Sequence, residues 1–359
     1  MTKEYTSLGL MSGTSGDGVD ASIIQSDGQN KYKVILDKYF EYDRDIYKNI
    51  HELKENINGP KDLKNLFKEV TELEKKITLF HAKVVGDLLQ DNIDFLGFHG
   101  QTIFHNADEK VSKQLGDGKL LSQLTKKSVI YNFRENDLRN GGQGAPLTPI
   151  FHKLLVNQNK INLPVTILNI GGIANITSVQ KGNRIFSSDI GPGNCLIDNW
   201  VRSNSDKNYD KDGLFAKAGK INKIILDQSL ENFYENYISK KKSYDIKDFD
   251  ISFVRGLSLE DGAATLTEFT AEIFSKKKMD KKIYICGGGR KNSFLLERIK
   301  RKINSEIKLI DDLGMNGDFI ESQAFAYLAI RSYLGLPISF PDTTGLKKAS
   351  TGGILVKIK

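Results

Sequence analysis

Ser7-Leu8-Gly9-Leu10-Met11-Ser12-Gly13-Thr14-Ser15-Gly16-Asp17-Gly18-Val19-Asp20-Ala21-Ser22-Ile23-Ile24-Gln25 lies near the start of this 359-residue chain. Residues Ser7 to Met11 predict a strand, Ser12 to Asp20 a loop of glycines and hydroxyls, and Ala21 to Gln25 a second strand. Turn residues Ser26 to Asn30 then lead to a third strand from Tyr32 to Leu36. Main-chain N–H groups unscreened by side chains, helped by the Thr14 and Ser15 hydroxyls, can wrap an anion, so the loop suits phosphate. A relaxed dinucleotide fingerprint, Gly16-x-Gly18-x-x-Ala21 with Asp37 downstream, overlaps it, but that fingerprint needs a helix directly after the loop. The β-branched residues and the Asp27-Gly28 turn predict a strand instead, and no P-loop motif occurs anywhere.

The unit recurs. Pro164 to Asn169 predicts a strand, Ile170-Gly171-Gly172 its loop, Ala174 to Val179 a second strand with Asn175 near its start, Lys181-Gly182-Asn183 a turn, and Arg184 to Ser187 a third strand. That strand is expected to stop at Asp189. Gly191-Pro192-Gly193 make a turn of little bulk, and Asn194 is placed to cap a helix from Cys195 to Arg202. The carboxylate therefore lies beside a helix N-terminus; alone it could equally cap a turn, but its place in a duplicated unit argues for chemistry. Two copies of strand, glycine loop, strand, turn, strand imply two similar lobes, each presenting a loop to a common cleft.

From Lys61, the spacing of Leu63, Leu66, Phe67, Val70, Leu73, Ile77, Phe80, Val84 and Leu88 predicts one long amphipathic helix. Ile93 to Phe98 reads as a strand ending in His99-Gly100-Gln101-Thr102, where ligands of α/β sheets usually bind; His99 is either such a group or one satisfied by main chain. After the strand Val129 to Phe133 come Arg134, Asp137 and the segment Gly141 to Pro149, whose glycines and prolines predict a hinge. Helices are expected over Lys220 to Tyr237 and Ser258 to Lys277. The strand Lys282 to Cys286 ends in Gly287-Gly288-Gly289, flat enough for a ring to lie on main chain, or else a tight turn into the next helix. Glu321 opens the last long helix, and Gly352 to Val356 predict a terminal strand.

Length allows two domains, and the apolar and charged fractions (39% and 27%) are those of a soluble protein without an apolar run able to cross a bilayer. The first residues lack a signal-peptide layout, so residence in the cytoplasm is expected. The net charge of +7 comes from scattered lysines with short runs at Lys240 to Lys242 and Lys276 to Lys278, not from a basic stripe interleaved with aromatics, so nucleic acid is not expected. Two cysteines, Cys195 and Cys286, exclude a disulfide framework, and no histidine spacing matches a protein-held transition metal.

Leu10 to Asp20, Phe98-His99-Gly100-Gln101-Thr102, Phe133-Arg134 with Asp137, Gly141 to Leu147, Asn169 to Asn175, Asp189-x-Gly191-Pro192-Gly193-Asn194, Cys286 to Gly289 and Glu321 to Ala326 together resemble, in order, the anhydro-N-acetylmuramic acid kinase family. This family lies within the actin-like ATPase and sugar-kinase superfamily. The resemblance implies an α/β, two-lobed, ribonuclease H-like fold with mixed sheets flanked by helices and a central cleft. The lobes would be 1–133, which the tail 343–359 could join, and 134–342. It implies a cytoplasmic homodimer of peptidoglycan recycling, which uses ATP and Mg²⁺ to open an anhydro amino sugar with water and leave the 6-phosphate. Asp189 would be the general base. Gly13, Thr14, Ser15, Gly16, Asp17, Gly18, Val19, Asp20, Gly171, Gly172, Asn175, Gly191, Gly193, Asn194 and Gly287 to Gly289 (with Gly288 between them) would bind ATP. His99, Gln101, Thr102, Arg134, Asp137 and Glu321 would bind sugar. Met11 replaces the superfamily's Mg²⁺-organising Asp, which shifts metal contacts to Asp17, Asp20 or Asp189. Ile190 stands in place of the usual Thr, and Lys240 to Lys242 in place of a proline-rich entry. The rival reading is a nucleotide-gated or regulatory ATPase of the same superfamily without a sugar product.

Overall fold

The computed structural model describes residues 3–88, 92–237 and 243–358. Two compact units divide the chain: Met1–Ile161 with Phe319–Lys359, and Asn162–Asp318.

The first unit is built on a seven-stranded mixed sheet. It comprises β1 (Tyr5–Ser12), β2 (Gly18–Ser26), β3 (Tyr32–Glu41), β4 (Phe95–Asn106), β5 (Val111–Leu115), β6 (Ser128–Tyr131) and β12 (Ile354–Val356), in the order β12-β6-β4-β1-β2-β3 with β5 on β4. Alternation along the strands sorts the two faces. Leu8, Leu10, Leu96 and Phe98 join one apolar cluster with Ile46, Ile50 and Leu53 of the helix Arg44–Asn56 and Val70, Leu73, Ile77 and Val84 of the helix Phe67–Leu88. Gly9 and Gly97, paired across β1 and β4, point the other way. A Cβ on Gly9 would lie 2.0 Å from the Ser322 carbonyl oxygen, and one on Gly97 2.4 Å from that of Phe325. The two glycines form a furrow that seats the helix Ile320–Tyr333.

The second unit holds β7 (Val165–Ile170), β8 (Ile173–Val179), β9 (Ile185–Pro192), β10 (Lys282–Cys286) and β11 (Glu306–Leu309), in the order β11-β10-β7-β8-β9. In both sheets an antiparallel run of three consecutive strands is extended by a parallel partner on its first strand, β4 on β1 and β10 on β7. The duplicated unit read in the sequence is therefore present, as α/β architecture with mixed sheets.

Several boundaries differ from expectation. The units divide at 161/162 and 318/319, where the sequence suggested 133/134 and 342/343. Residues 141–149 are no junction: Gln143 N–H donates to the Thr344 carbonyl, and Gly144 N–H to Asp137. The helix Pro149–Gln158 stays with the first unit, where the Gln158 amide both accepts from and donates to the Tyr32 main chain. The predicted helix from Lys61 is two, Pro60–Asn65 and Phe67–Leu88, and Phe67 is 68% exposed rather than part of the buried stripe. β4 continues through His99, Gly100, Gln101 and Thr102 instead of ending there, because Gly100 at φ +75° carries an irregularity in the β1 pairing and β5 takes over as partner. The Lys240 to Lys242 run lies outside the described residues.

Candidate active site

In the first unit the glycine-hydroxyl loop between β1 and β2 is shorter than the sequence suggests. β2 already begins at Gly18, and the Val19 side chain is fully buried in the core, so only its main chain can serve a ligand. Thr14, Ser15 and Asp17 are exposed, and Gly13 and Asp20 are partly so. Within the loop Gly16 N–H donates to the Gly13 carbonyl (3.1 Å) and the Ser15 hydroxyl to Asp17 Oδ1 (2.6 Å). Support comes from beneath. Gln101 is wholly buried; its Nε2 donates to the Gly13 carbonyl (2.9 Å), and its Oε1 accepts from the Ser12 hydroxyl (2.6 Å). The Tyr42 hydroxyl donates to Ser12 Oγ (3.0 Å), and Lys54 Nζ to the Thr14 carbonyl (2.9 Å).

Both ends of the Gln101 amide are thus engaged in holding the loop. Asp137 is likewise buried, with Oδ2 accepting Gly144 N–H (2.7 Å) and Oδ1 the Thr344 hydroxyl (2.6 Å), so it fastens the 141–149 segment. His99 is buried and satisfied, its Nδ1–H donating to the Gly100 carbonyl (2.8 Å) and Nε2 accepting from Arg134 Nη2 (2.9 Å). Burial first, and the adjacent guanidinium second, hold its pKa well below the usual histidine value, so the ring is neutral. Arg134 also donates through Nη1 to the Gly144 carbonyl (2.8 Å), which ties His99, Arg134 and the glycine segment into one support. Thr102 Oγ1 accepts from Gln114 (3.2 Å), and Glu321 sits half-buried in the first turn of the helix Ile320–Tyr333.

In the second unit Asp189 lies within β9, which runs on to Pro192 rather than stopping at the acid. The β8–β9 pairing shifts between Ala174, opposite Gly191, and Asn175, opposite Asp189, leaving Ile190 as the extra residue of a bulge. Ile190 is fully buried in the core, so its lost hydroxyl would have pointed into apolar packing. Asp189 is 7% exposed, and its Oδ2 accepts the Tyr244 main-chain N–H (2.8 Å), which fixes the carboxylate's orientation. Asn175 shares the Asp189 pair position, and no hydrogen-bond partner for its Oδ1 occurs among the described residues.

Three turns meet at the carboxyl end of β7. Gly193 and Asn194 N–H donate to the carbonyls of Gly172 (2.9 Å) and Gly171 (2.8 Å), and Asn194 Nδ2 reaches the Ile170 carbonyl (3.4 Å). Asn194 itself has helical dihedrals and makes no side-chain cap, contrary to the predicted N-cap; its amide fastens two loops together instead. Cys286 Sγ donates to Asn169 Oδ1 (3.7 Å), bringing the Gly287 to Gly289 turn alongside. Burial pushes the Cys195 thiol up to about 12, so it is no nucleophile.

The glycines fall into two groups. A Cβ at Gly16, Gly18, Gly193, Gly287 or Gly289 would come within 3.0 Å of the protein's own atoms, so packing alone demands glycine there. At Gly13, Gly171 and Gly288 a Cβ would meet only one atom, at 3.7, 3.4 and 4.0 Å respectively, and none of the three has a positive φ. Neither clashing packing nor a positive φ requires glycine at these three positions. A nucleotide's phosphates and base fit such open main-chain cradles. No group of three or more His, Cys, Asp or Glu positioned to hold a metal ion occurs among the described residues. No described helix is long and apolar enough to cross a membrane.

The loop supports Tyr42 and Lys54 and the Tyr244 contact were not foreseen. Each joins residues far apart in the chain, and no local pattern announces such pairs.

A family model described as anhydro-N-acetylmuramic acid kinase matches residues 5–357. The chain is 57% identical to a protein of that name from Pelagibacter ubique over 99% of this chain and 100% of the other, and 36% identical to one from Agrobacterium fabrum over 99% and 100%. Among solved structures it is similar to component A of (R)-2-hydroxyglutaryl-CoA dehydratase from Acidaminococcus fermentans, at 14% identity and a TM-score of 0.43 over 91% of this chain and 99% of that one.

Proposed function

Since the chain belongs to the anhydro-N-acetylmuramic acid kinase family, whose members are sugar kinases, we propose that Asp189 drives a coupled hydrolysis and phosphoryl transfer. Family membership sets aside the regulatory ATPase without a sugar product. In the proposed reaction water attacks the anomeric carbon, the bond from that carbon to the bridging 6-oxygen breaks, and the 6-oxygen takes the γ-phosphoryl group of ATP. ADP leaves, and the proton from water passes to Asp189. An inverting glycosidase needs a second carboxyl group to protonate its leaving oxygen. Here phosphorus captures that oxygen, so one general base suffices.

The observation that carries this reading is Asp189 itself: a largely buried carboxylate beside a strand bulge, clamped by the Tyr244 N–H. The clamp removes rotational freedom before the substrate arrives. Gly13, Gly171 and Gly288 would let the nucleotide approach main chain, and the Thr14 and Ser15 hydroxyls would bind phosphate. Bound Mg²⁺, held through Asp17, Asp20 or Asp189, would neutralise developing charge on the phosphates. A homodimer and residence in the cytoplasm rest on the family resemblance alone.

The test is Asp189→Asn assayed with ATP and 1,6-anhydro-N-acetylmuramic acid in ¹⁸O-water. Turnover should fall about 10²-fold or more while ATP still binds, and wild-type product should carry the label at the anomeric carbon and not in phosphate. A variant that turns over at the normal rate, or label in the phosphate, overturns the reading.

A further inference from the structure

The Gly287 to Gly289 turn owes its shape to one side chain. Arg290, whose side chain is 6% exposed, finds an acceptor for each of its five N–H groups. Nε and Nη2 form a fork on Asp311 (2.7 and 3.0 Å), and Nη2 also reaches Asn316 Oδ1 (3.4 Å). Nη1 donates to Asp318 Oδ1 (2.6 Å) and to the Gly287 carbonyl (3.2 Å). The Gly287 carbonyl also accepts Arg290 N–H (3.2 Å), and Gly287 N–H donates to the Gly317 carbonyl (3.2 Å). Gly317 is itself pressed on the guanidinium, since a Cβ there would lie 2.3 Å from Nε.

A trans peptide holds its C=O and the following N–H antiparallel, so fixing the Gly287 carbonyl from two sides also fixes Gly288 N–H. Gly288 is the glycine of this turn with open space where a Cβ would go. We propose that Arg290 is a positioning residue for nucleotide binding: it sets the Gly287–Gly288 peptide plane, and takes its own orientation from the fork on Asp311 and the contact with Asp318. Lysine cannot replace it, because a point charge does not form a planar fork. The inference rests on the reading of this turn as part of the nucleotide site. It adds that the site's selectivity is set by a buried arginine and its partly exposed carboxylate partners, Asp311 and Asp318, acting through the main chain.

The full-length enzyme tests both layers through KM for ATP, KM for the anhydro sugar, kcat, and the ratio of kcat/KM for ATP and GTP. Arg290→Met should raise KM for ATP about tenfold or more and lower the ATP preference, with sugar KM and kcat at saturating ATP within about twofold. Arg290→Lys should fall in the same direction, and Asp311→Asn should shift KM for ATP less. A merely structural role would lower the active fraction, and hence kcat, without moving either KM. Gly288→Ala, which the protein alone accommodates, reads the underlying turn. If Gly288→Ala weakens ATP but Arg290→Met and Arg290→Lys do not, the inference fails and the turn's assignment stands. If Gly288→Ala leaves KM for ATP unchanged, the assignment itself fails. Should Arg290→Met not fold, Arg290→Lys and Asp311→Asn decide the matter by the same criterion.

Discussion

Burial makes three histidines of this chain resist a second proton. His81 and His152 are held by burial to about 4 and about 3, and His99 is held well below its ordinary value by burial and by Arg134. The unfolded chain takes up these protons near pH 6.5 and the folded chain does not. Stability from these groups is therefore complete above about pH 6.5 and lost as pH falls below it, at up to about 1.4 kcal/mol per pH unit for each ring. Urea unfolding at pH 7.5, 6.5 and 5.5 should show a falling free energy, and a flat profile across that range would show that the rings protonate in the folded protein. His99 carries a second lesson. The sequence leaves it either as a ligand group or as one satisfied by main chain; the ring, with Arg134 and Asp137, holds the 141–149 segment, while Gln101 holds the loop after β1. A motif marks residues held constant by a site without separating those that touch a substrate from those that hold the residues that do.

Among strands and helices, the closest contact is the seat of the Ile320–Tyr333 helix on Gly9 and Gly97. Main chain meets main chain there, so relief requires moving a whole helix. Gly9→Ala should cost about 1–3 kcal/mol or more by overpacking. Gly86→Ala, exposed in the Phe67–Leu88 helix with nothing within 4 Å of the new Cβ, should instead stabilise by about 0.5–1 kcal/mol. Denaturant midpoints of the two variants should move in opposite directions; a shared direction would mean that the furrow is loosely packed. The repeated three-strand units were legible because alternation and Asp-Gly or Gly-Asn turns are local signals. The extension of β4 to Asn106 was not. Gly100 reads as a terminator on propensity, and only β5, a partner ten or more residues on, turns it into an irregularity inside a longer strand. The unused Asn194 cap is similar: its bonds to the Gly171 and Ile170 carbonyls override the local pattern. Asp189 was readable as a candidate from its turn, whereas the Tyr244 clamp came from a segment with no pattern linking it to β9.

At the level of the full chain, the second unit is one uninterrupted segment and the first is made of two. Residues 162–318 carry their own five-stranded sheet and apolar cluster, so that fragment should fold by itself and melt cooperatively. Residues 1–161 alone lack the Ile320–Tyr333 helix and β12, leaving Gly9 and Gly97 uncovered, and should not. Circular dichroism melts of the two fragments check this; a cooperative melt of 1–161 would mean that the furrow is dispensable. The order of the pieces matters during synthesis. A nascent chain leaving the ribosome exposes an uncovered glycine furrow for as long as the next 157 residues take to emerge, and at ordinary elongation rates that wait is roughly 10–30 seconds. Newly made chain therefore passes through a stage with its oldest residues uncovered, a delay set by the order of segments along the chain rather than by the final stability of the product.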